Sequence, residues 1–205
     1  MKGRFRSAKQ IGKGSSFSTP PIIPLYPKRN PTPIIMVEVK WVNTKAQLAI
    51  VFHGEVKMDE IPQFMGKAFG ALMMFAQRKK VQLAGPAFCY YRSWSKTTVD
   101  LECGFPVAGP VEGEGDVRMF SLPAAKAANA MHLGPYERVG TTYGLVEQWL
   151  RAHGHEPSGQ MWEVYHNSPQ DTAPKKLRTE IFWPVKRLKK PSDKGGGPPS
   201  PPTTG

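Results

Sequence analysis

Two glutamates lie inside segments whose other residues favour a β-strand. Glu180 lies in LRTEIFWPV (177–185) and Glu102 in VDLECGFPV (99–107), and both segments end in an aromatic residue followed by Pro-Val. Three apolar residues follow Glu180 directly, so we expect its side chain to be partly buried. A buried carboxylate without a partner is costly, and such groups tend to mark functional sites.

Strand alternation groups the candidate residues, because every second side chain of a strand points to the same face. If the more aliphatic faces pack under the helices, four residues point to the opposite, open face: Glu180, Phe182, Glu163 and Tyr165. For Glu102 and Glu163, a plain solvated sheet face explains the charge equally well. The ligand-binding candidates are Glu180, Tyr165, Glu163, Phe182, Trp162, Tyr91 and Glu102.

A carboxylate beside aromatic rings suits a cationic or electron-poor aromatic ligand. Ring faces attract cations by about 0.5–2 kcal/mol per contact, and the carboxylate adds a charged anchor. Aromatic residues alone would be weak evidence, since they are usually core residues.

The chain repeats a strand–helix–strand–strand unit, over about 37–108 and 117–187. Apolar residues recur at helical spacing over 58–80 and again over 136–154. The repeat matches Tyr91 with Tyr165. One unit has too small a core to be stable alone, so two units must share a sheet. We therefore expect an α+β fold in which two βαββ repeats with pseudo-two-fold symmetry form one concave antiparallel sheet, with both helices on one face.

The net charge of +12 is concentrated at the two ends of the chain. Residues 1–33 carry seven Lys and Arg and no acid, and residues 186–205 carry five and one acid, so the part between is close to neutral. Residues 1–35 and 188–205 are rich in Pro and Gly, and we expect them to be unfolded tails around a domain at 36–187. The basic first segment is either an extension without function or, less in keeping with its prolines, a targeting segment. We expect a cytoplasmic protein with no specific nucleic-acid partner and no membrane segment.

Cysteine and histidine usage gives no sign of a metal or cofactor. Cys89 and Cys103 could fall on adjacent strands, but without a secretory signal we expect reduced core thiols. His153 and His155 flank Gly154 at the expected end of a helix, which fits a helix terminus better than a metal site. We expect no metal and no cofactor.

The segments WEVYHNSP (162–169) and LRTEIFWPV, together with the repeat, resemble the GyrI-like small-molecule-binding domain, also called the AraC-type effector-binding domain. The resemblance runs roughly from Val37 to Val185. It implies that the cleft between the halves binds lipophilic, often cationic or aromatic compounds, and it maps the central ligand-contacting glutamate onto Glu180. Many members carry a DNA-binding domain first. Only a Pro/Gly-rich tail precedes the domain here, so we expect a stand-alone member.

Three functions remain open, and binding of a hydrophobic, cationic or aromatic small molecule ranks first because no nucleophile elbow or phosphate loop is present. The resemblance also implies a hydrolase of electrophilic cyclopropane compounds, with Glu180 or Glu102 orienting water and Tyr165 donating a proton. The third function is a protein-interaction role such as gyrase inhibition. We expect a monomer or weak dimer.

Overall fold

The computed structural model describes residues 37–188, which form an antiparallel sheet of nine strands and two helices. The strands are β1 (Val39–Asn43), β2 (Gln47–Lys57), β3 (Ala87–Trp94), β4 (Thr98–Pro106), β5 (Val117–Leu122), β6 (Lys126–Leu133), β7 (His155–Pro157), β8 (Met161–Tyr165) and β9 (Arg178–Arg187). The helices are α1 (Ile61–Lys79) and α2 (Val139–Ala152), and a short 3-10 turn precedes each of them.

Both helices form where the apolar spacing predicts them, with shorter ends. Pro62 lies in the first turn of α1, where its missing N–H is harmless. The helix stops at Lys80, whose left-handed backbone (φ 54°) places its N–H on the carbonyl of Gln77. Gly154, with a φ of 70°, follows the end of α2. Left-handed backbone is a common way to end a helix, and glycine adopts it without strain.

The internal repeat is confirmed by the strand order, which is β1-β6-β9-β8-β3-β4-β2-β5, with β7 added on β9. The first unit contributes β2, α1, β3 and β4, and the second contributes β6, α2, β8 and β9. The two units join where β3 pairs with β8. Two further strands are exchanged, since β1 pairs with β6 of the second unit and β5 with β2 of the first.

The exchanged strands force the sheet to curl. In a flat sheet β1 and β2 would lie six strand spacings apart, roughly 29 Å. The connection between them is only Thr44 to Ala46, which reaches at most about 15 Å. The segment from Pro123 to Ala125 spans the same gap in the other direction, and the two connections are held together by the N–H of Thr44 on the carbonyl of Ala125 at 2.8 Å. The sheet therefore curls. Its helix-free face carries fully or largely buried residues such as Phe88, Tyr90 and Trp162, so that face is the concave one.

Each sheet face has its own core. One cluster packs under α1 around Leu72, Phe75 and Leu101, and a second packs under α2 around Val146, Ile181 and Trp183. A third fills the concave face and includes Phe88, Tyr90 and Trp162.

The expectation that Glu163 and Tyr165 share the open face with Glu180 is wrong. In the pairing of β8 with β9, Glu163 stands opposite Ile181, and Val164 stands opposite Glu180. Paired residues share a face, so Glu163 and Tyr165 lie on the helix side and Glu180 on the concave side. The prediction assumed that the more aliphatic face of each strand packs under the helices. The curl of the sheet also buries the concave face, so an aliphatic face does not have to be covered by a helix.

The cysteines also differ from expectation. Cys89 of β3 and Cys103 of β4 stand directly opposite each other with their Cα atoms 4.2 Å apart, and they are joined by a disulfide. Both are fully buried under α1. The two cysteines do lie on adjacent strands, as the sequence allowed. The expectation of two reduced thiols is wrong, because the structure joins them in a disulfide.

Within residues 37–188 no helix is long and apolar enough to cross a membrane. The predicted tails at 1–35 and 188–205 lie outside the described residues, apart from Leu188.

Candidate functional site

A cleft of about 890 Å³ lies between α1 and α2, above the strands where the two units join. Its floor comes from β3, β4 and β8, and its rim includes the loop that follows β8. The lining is largely apolar, and its large apolar and aromatic members include Met58, Met65, Phe69, Met73, Trp94, Phe105 and Tyr136. A concave apolar cleft with a few polar groups is the usual form of a small-molecule site.

Glu163 of β8 lines the cleft and is 4% exposed. Three tyrosine hydroxyls donate to its carboxylate. Tyr91 donates to Oε2 at 2.9 Å and Tyr165 to the same oxygen at 2.8 Å. Tyr143 of α2 donates to Oε1. The site therefore draws on both units, because Tyr91 comes from β3 and the others from the second unit.

The tyrosines of this cluster hold their protons. Burial raises the pKa of Tyr91, Tyr143 and Tyr165 well above the ordinary value, and the negative charge of Glu163 raises each pKa further. The pKa of Tyr136, whose ring meets that of Tyr165 edge-on at 5.8 Å, is raised by the same two causes. Tyr91, Tyr143 and Tyr165 therefore act as hydrogen-bond donors to the carboxylate at neutral pH.

The charge of the cleft is opposite to that of the whole chain. Two carboxylates, Glu137 and Glu163, line it, and the described residues that line it include no Lys or Arg. Among residues 37–188 no ion pair reaches Glu163; its partners are the three hydroxyls. Although the chain has a net charge of +12, the part of it that the structure describes gives this buried carboxylate no cationic side chain as a partner.

Glu180, which the sequence resemblance suggests as the central ligand contact, lies on the other face of the sheet. Its Oε1 accepts from Nδ2 of Asn129 at 3.0 Å, and its Oε2 lies 2.8 Å from Nε2 of His166. His166 also lines the rim of the cleft, but Glu180 itself does not line it. Its role as ligand anchor stays a prediction that this geometry does not favour.

Glu102 is fully buried on the concave side and is paired internally. Nε of Arg92 donates to its Oε1 at 2.7 Å, and Nη2 of Arg118 donates to the same oxygen at 2.5 Å. The ion pairs account for the buried charge without a ligand.

Phe182 and Trp162 also face the concave side, where their rings stack with centroids 5.4 Å apart. Of the seven ligand-binding candidates, the cleft thus brings together Glu163, Tyr165 and Tyr91. The other four lie behind the sheet.

The cleft residues that sequence reasoning missed include Phe69, Tyr136, Glu137 and Tyr143. One signal was available for Tyr143, which lies in the apolar stripe of α2. A buried tyrosine hydroxyl usually finds a partner, and Glu163 is the one it finds.

The structure places no group of three or more His, Cys, Asp and Glu to hold a metal ion within residues 37–188.

His132 fixes the start of α2 beside the site, and it predicts an acid sensitivity. The buried ring lies 2.8 Å from Oγ1 of Thr142 and 3.2 Å from the carbonyl of Pro135. Burial lowers its pKa below the ordinary 6.5, and the bond to Pro135 only partly opposes this. The unfolded chain therefore binds the proton more readily, so this contribution to stability is present above about pH 6.5 and is lost as the pH falls below it.

We expect His132→Gln to lose less stability than the wild type between about pH 7 and about pH 5. Urea unfolding of both proteins at the two pH values measures the difference. Parallel losses in the two proteins would show that His132 has no part in the acid sensitivity.

A family model described as the GyrI-like small molecule binding domain matches residues 37–186. A comparison with curated proteins finds no match. Among solved structures, the EcmrR C-terminal domain is 19% identical, with a TM-score of 0.66, and the match covers 75% of this chain and 100% of that one. Against EcmrR in its DNA complex, the match has 18% identity and a TM-score of 0.67, and covers 76% of this chain and 59% of that one.

SAV2435 bound to tetraphenylphosphonium is 12% identical, with a TM-score of 0.55, and the match covers 73% of this chain and 94% of that one. A hydrolase encoded by lin2189 from Listeria innocua has the same identity and TM-score, with 73% and 92% covered. At these identities the solved structures show a shared fold. The family match covers most of the chain, and the chain therefore belongs to the GyrI-like small molecule binding domain family.

Proposed function

We propose that the protein binds a hydrophobic organic cation in the cleft between α1 and α2, with Glu163 as the charged anchor. The observation that carries the proposal is the state of this carboxylate. It is 4% exposed, lies in an apolar cleft, and has hydroxyl partners but no cationic one among residues 37–188. A ligand cation would supply the missing opposite charge.

The tyrosine cluster suits such a ligand for two reasons. The three hydroxyl bonds to Glu163 hold the carboxylate in one position, so little ordering is needed when a cation arrives. The tyrosine rings also offer faces that attract cations by about 0.5–2 kcal/mol each when the site is dry. SAV2435, which shares the fold, is bound to tetraphenylphosphonium, a cation of this class.

A hydrolase is the second candidate, because a carboxylate with hydroxyls at 2.8 and 2.9 Å resembles an acid–base pair. Glu102 and Glu180 do not reach the cleft, so Glu163 would have to orient the water. The raised pKa values of Tyr91 and Tyr165 oppose this reading, since an efficient general acid titrates near the working pH. A product seen by mass spectrometry after incubation with electrophilic cyclopropane compounds would favour the hydrolase.

A crystal structure with tetraphenylphosphonium tests the binding proposal. We expect the cation in the cleft, within about 6 Å of the tyrosine ring centroids and facing the carboxylate of Glu163. A cation seated instead on the concave face, against Trp162 and Phe182 beside Glu180, would overturn the assignment of the site.

A further inference from the structure

The two helices carry the same five-residue pattern. It begins and ends with glycine, and an aromatic residue stands directly before the second glycine. It reads GKAFG at 66–70 in α1 and GTTYG at 140–144 in α2. The aromatic members, Phe69 and Tyr143, both line the cleft. The pattern thus places one aromatic ring on each side of the site, together with Gly66 and Gly70 on α1 and Gly140 on α2.

Glycine inside a helix is destabilising relative to alanine, so its presence needs a reason. Internal packing explains a glycine elsewhere in the fold, Gly104 of strand β4, where an added Cβ would lie 2.6 Å from the carbonyl oxygen of Ile50. It gives no reason at Gly66 and Gly70, because a Cβ at either position meets no atom within 4 Å. Both glycines are exposed and line the cleft.

Glycine at these positions removes side chains from the walls of the cleft. Residues four apart lie on one side of a helix, so Gly66 and Gly70 form a bare strip of backbone about 6 Å long. Gly140 lines the cleft from α2. Any other residue at these positions would add a side chain and narrow the space between the helices.

We infer that Gly66, Gly70 and Gly140 make the cleft selective for broad, polycyclic organic cations over compact single-ring cations. The inference rests on the proposed function and adds the shape of the ligand to its charge. A broad ring system fills the space between the bare walls and reaches Phe69 and Tyr143, whereas a compact cation leaves part of that apolar surface uncovered.

Paired titrations with rhodamine 6G and benzyltrimethylammonium test the inference. The measured quantity is the ratio of the two dissociation constants, which removes effects common to both cations. The wild type should bind rhodamine 6G more tightly. In Gly66→Leu and Gly70→Leu the preference for rhodamine 6G should fall about tenfold, because the new side chains occupy the space that the ring system needs.

Gly144→Leu is the matched control. Gly144 ends the same pattern in α2, and an added Cβ there also meets no atom within 4 Å, but it does not line the cleft. Its substitution should leave the wild-type preference unchanged. Leucine favours a helix more than glycine does, so all three variants should be folded, which circular dichroism can confirm.

Several results would overturn the inference. One is an unchanged preference in both Gly66→Leu and Gly70→Leu. Another is a wild-type protein that binds the two cations equally, which would leave the proposed function standing. A wild type that binds neither cation would remove the proposed function as well. Sedimentation gives a further test. If the wild type self-associates, and Gly66→Leu and Gly70→Leu alone lose this self-association while keeping the ligand preference, the glycine strip would instead serve contact between copies of the protein.

Discussion

Glu163→Gln should bind tetraphenylphosphonium about 1–3 kcal/mol more weakly than the wild type, which is roughly a fivefold to 150-fold rise in Kd. The substitution keeps the shape of the side chain and removes its charge. The loss should be large because the carboxylate is 4% exposed, so solvent screens its attraction for a bound cation very little. Isothermal titration of both proteins measures the change, and circular dichroism checks that the variant is folded.

Glu180→Gln is the matched control for this prediction. It removes one carboxylate from the adjacent strand, but from the concave face, where Asn129 and His166 are its partners. We expect its Kd for tetraphenylphosphonium to match that of the wild type. If Glu180→Gln lost affinity for tetraphenylphosphonium and Glu163→Gln did not, the charged anchor would be Glu180, the residue that the sequence resemblance suggests.

Trp183→Ala should lower the free energy of unfolding by about 3–5 kcal/mol. Trp183 is 1% exposed in the core under α2, and its ring meets those of Tyr143 at 5.7 Å and Trp94 at 6.4 Å. Both neighbours line the cleft, and Tyr143 donates to Glu163, so ligand affinity should fall too. Urea unfolding and titration with tetraphenylphosphonium measure the two effects.

Trp183→Phe separates ring packing from hydrogen bonding. The buried Nε1 of Trp183 has no hydrogen-bond partner among residues 37–188, so removing it costs no bond there. Phenylalanine keeps an aromatic ring against Tyr143, and we expect a clearly smaller loss than in Trp183→Ala. Equal losses in the two variants would contradict this account, in which packing of the aromatic ring against Tyr143 stabilises the fold.

The sequence was sufficient for those features that depend on local pattern or duplication. Helix α1 follows from its apolar spacing and from Pro62 in the first turn. The match of Tyr91 with Tyr165 follows from the repeat, and both hydroxyls do reach the same oxygen of Glu163. Duplication places equivalent residues symmetrically about the joint between the units, which is where the site lies.

The faces of the strands could not be assigned in the same way. Whether Glu163 or Glu180 enters the cleft depends on the register of β8 against β9 and on which face the helices cover. The concave face is buried because the exchange of β1 and β5 curls the sheet. That exchange pairs Val39 with Ala130, a contact that no local pattern reveals. Tyr143 reaches the site from a helix, so strand alternation could not include it.

Titration of the wild type with tetraphenylphosphonium and with tetraphenylborate tests the central claim most directly. The two ions carry the same four phenyl groups and opposite charges. The net charge of +12 favours the anion, so a preference for the cation would have to come from the cleft and its carboxylates. We predict that the phosphonium binds at least about tenfold more tightly than the borate. Equal affinities, or tighter binding of the borate, would contradict the account of Glu163 as a cation anchor.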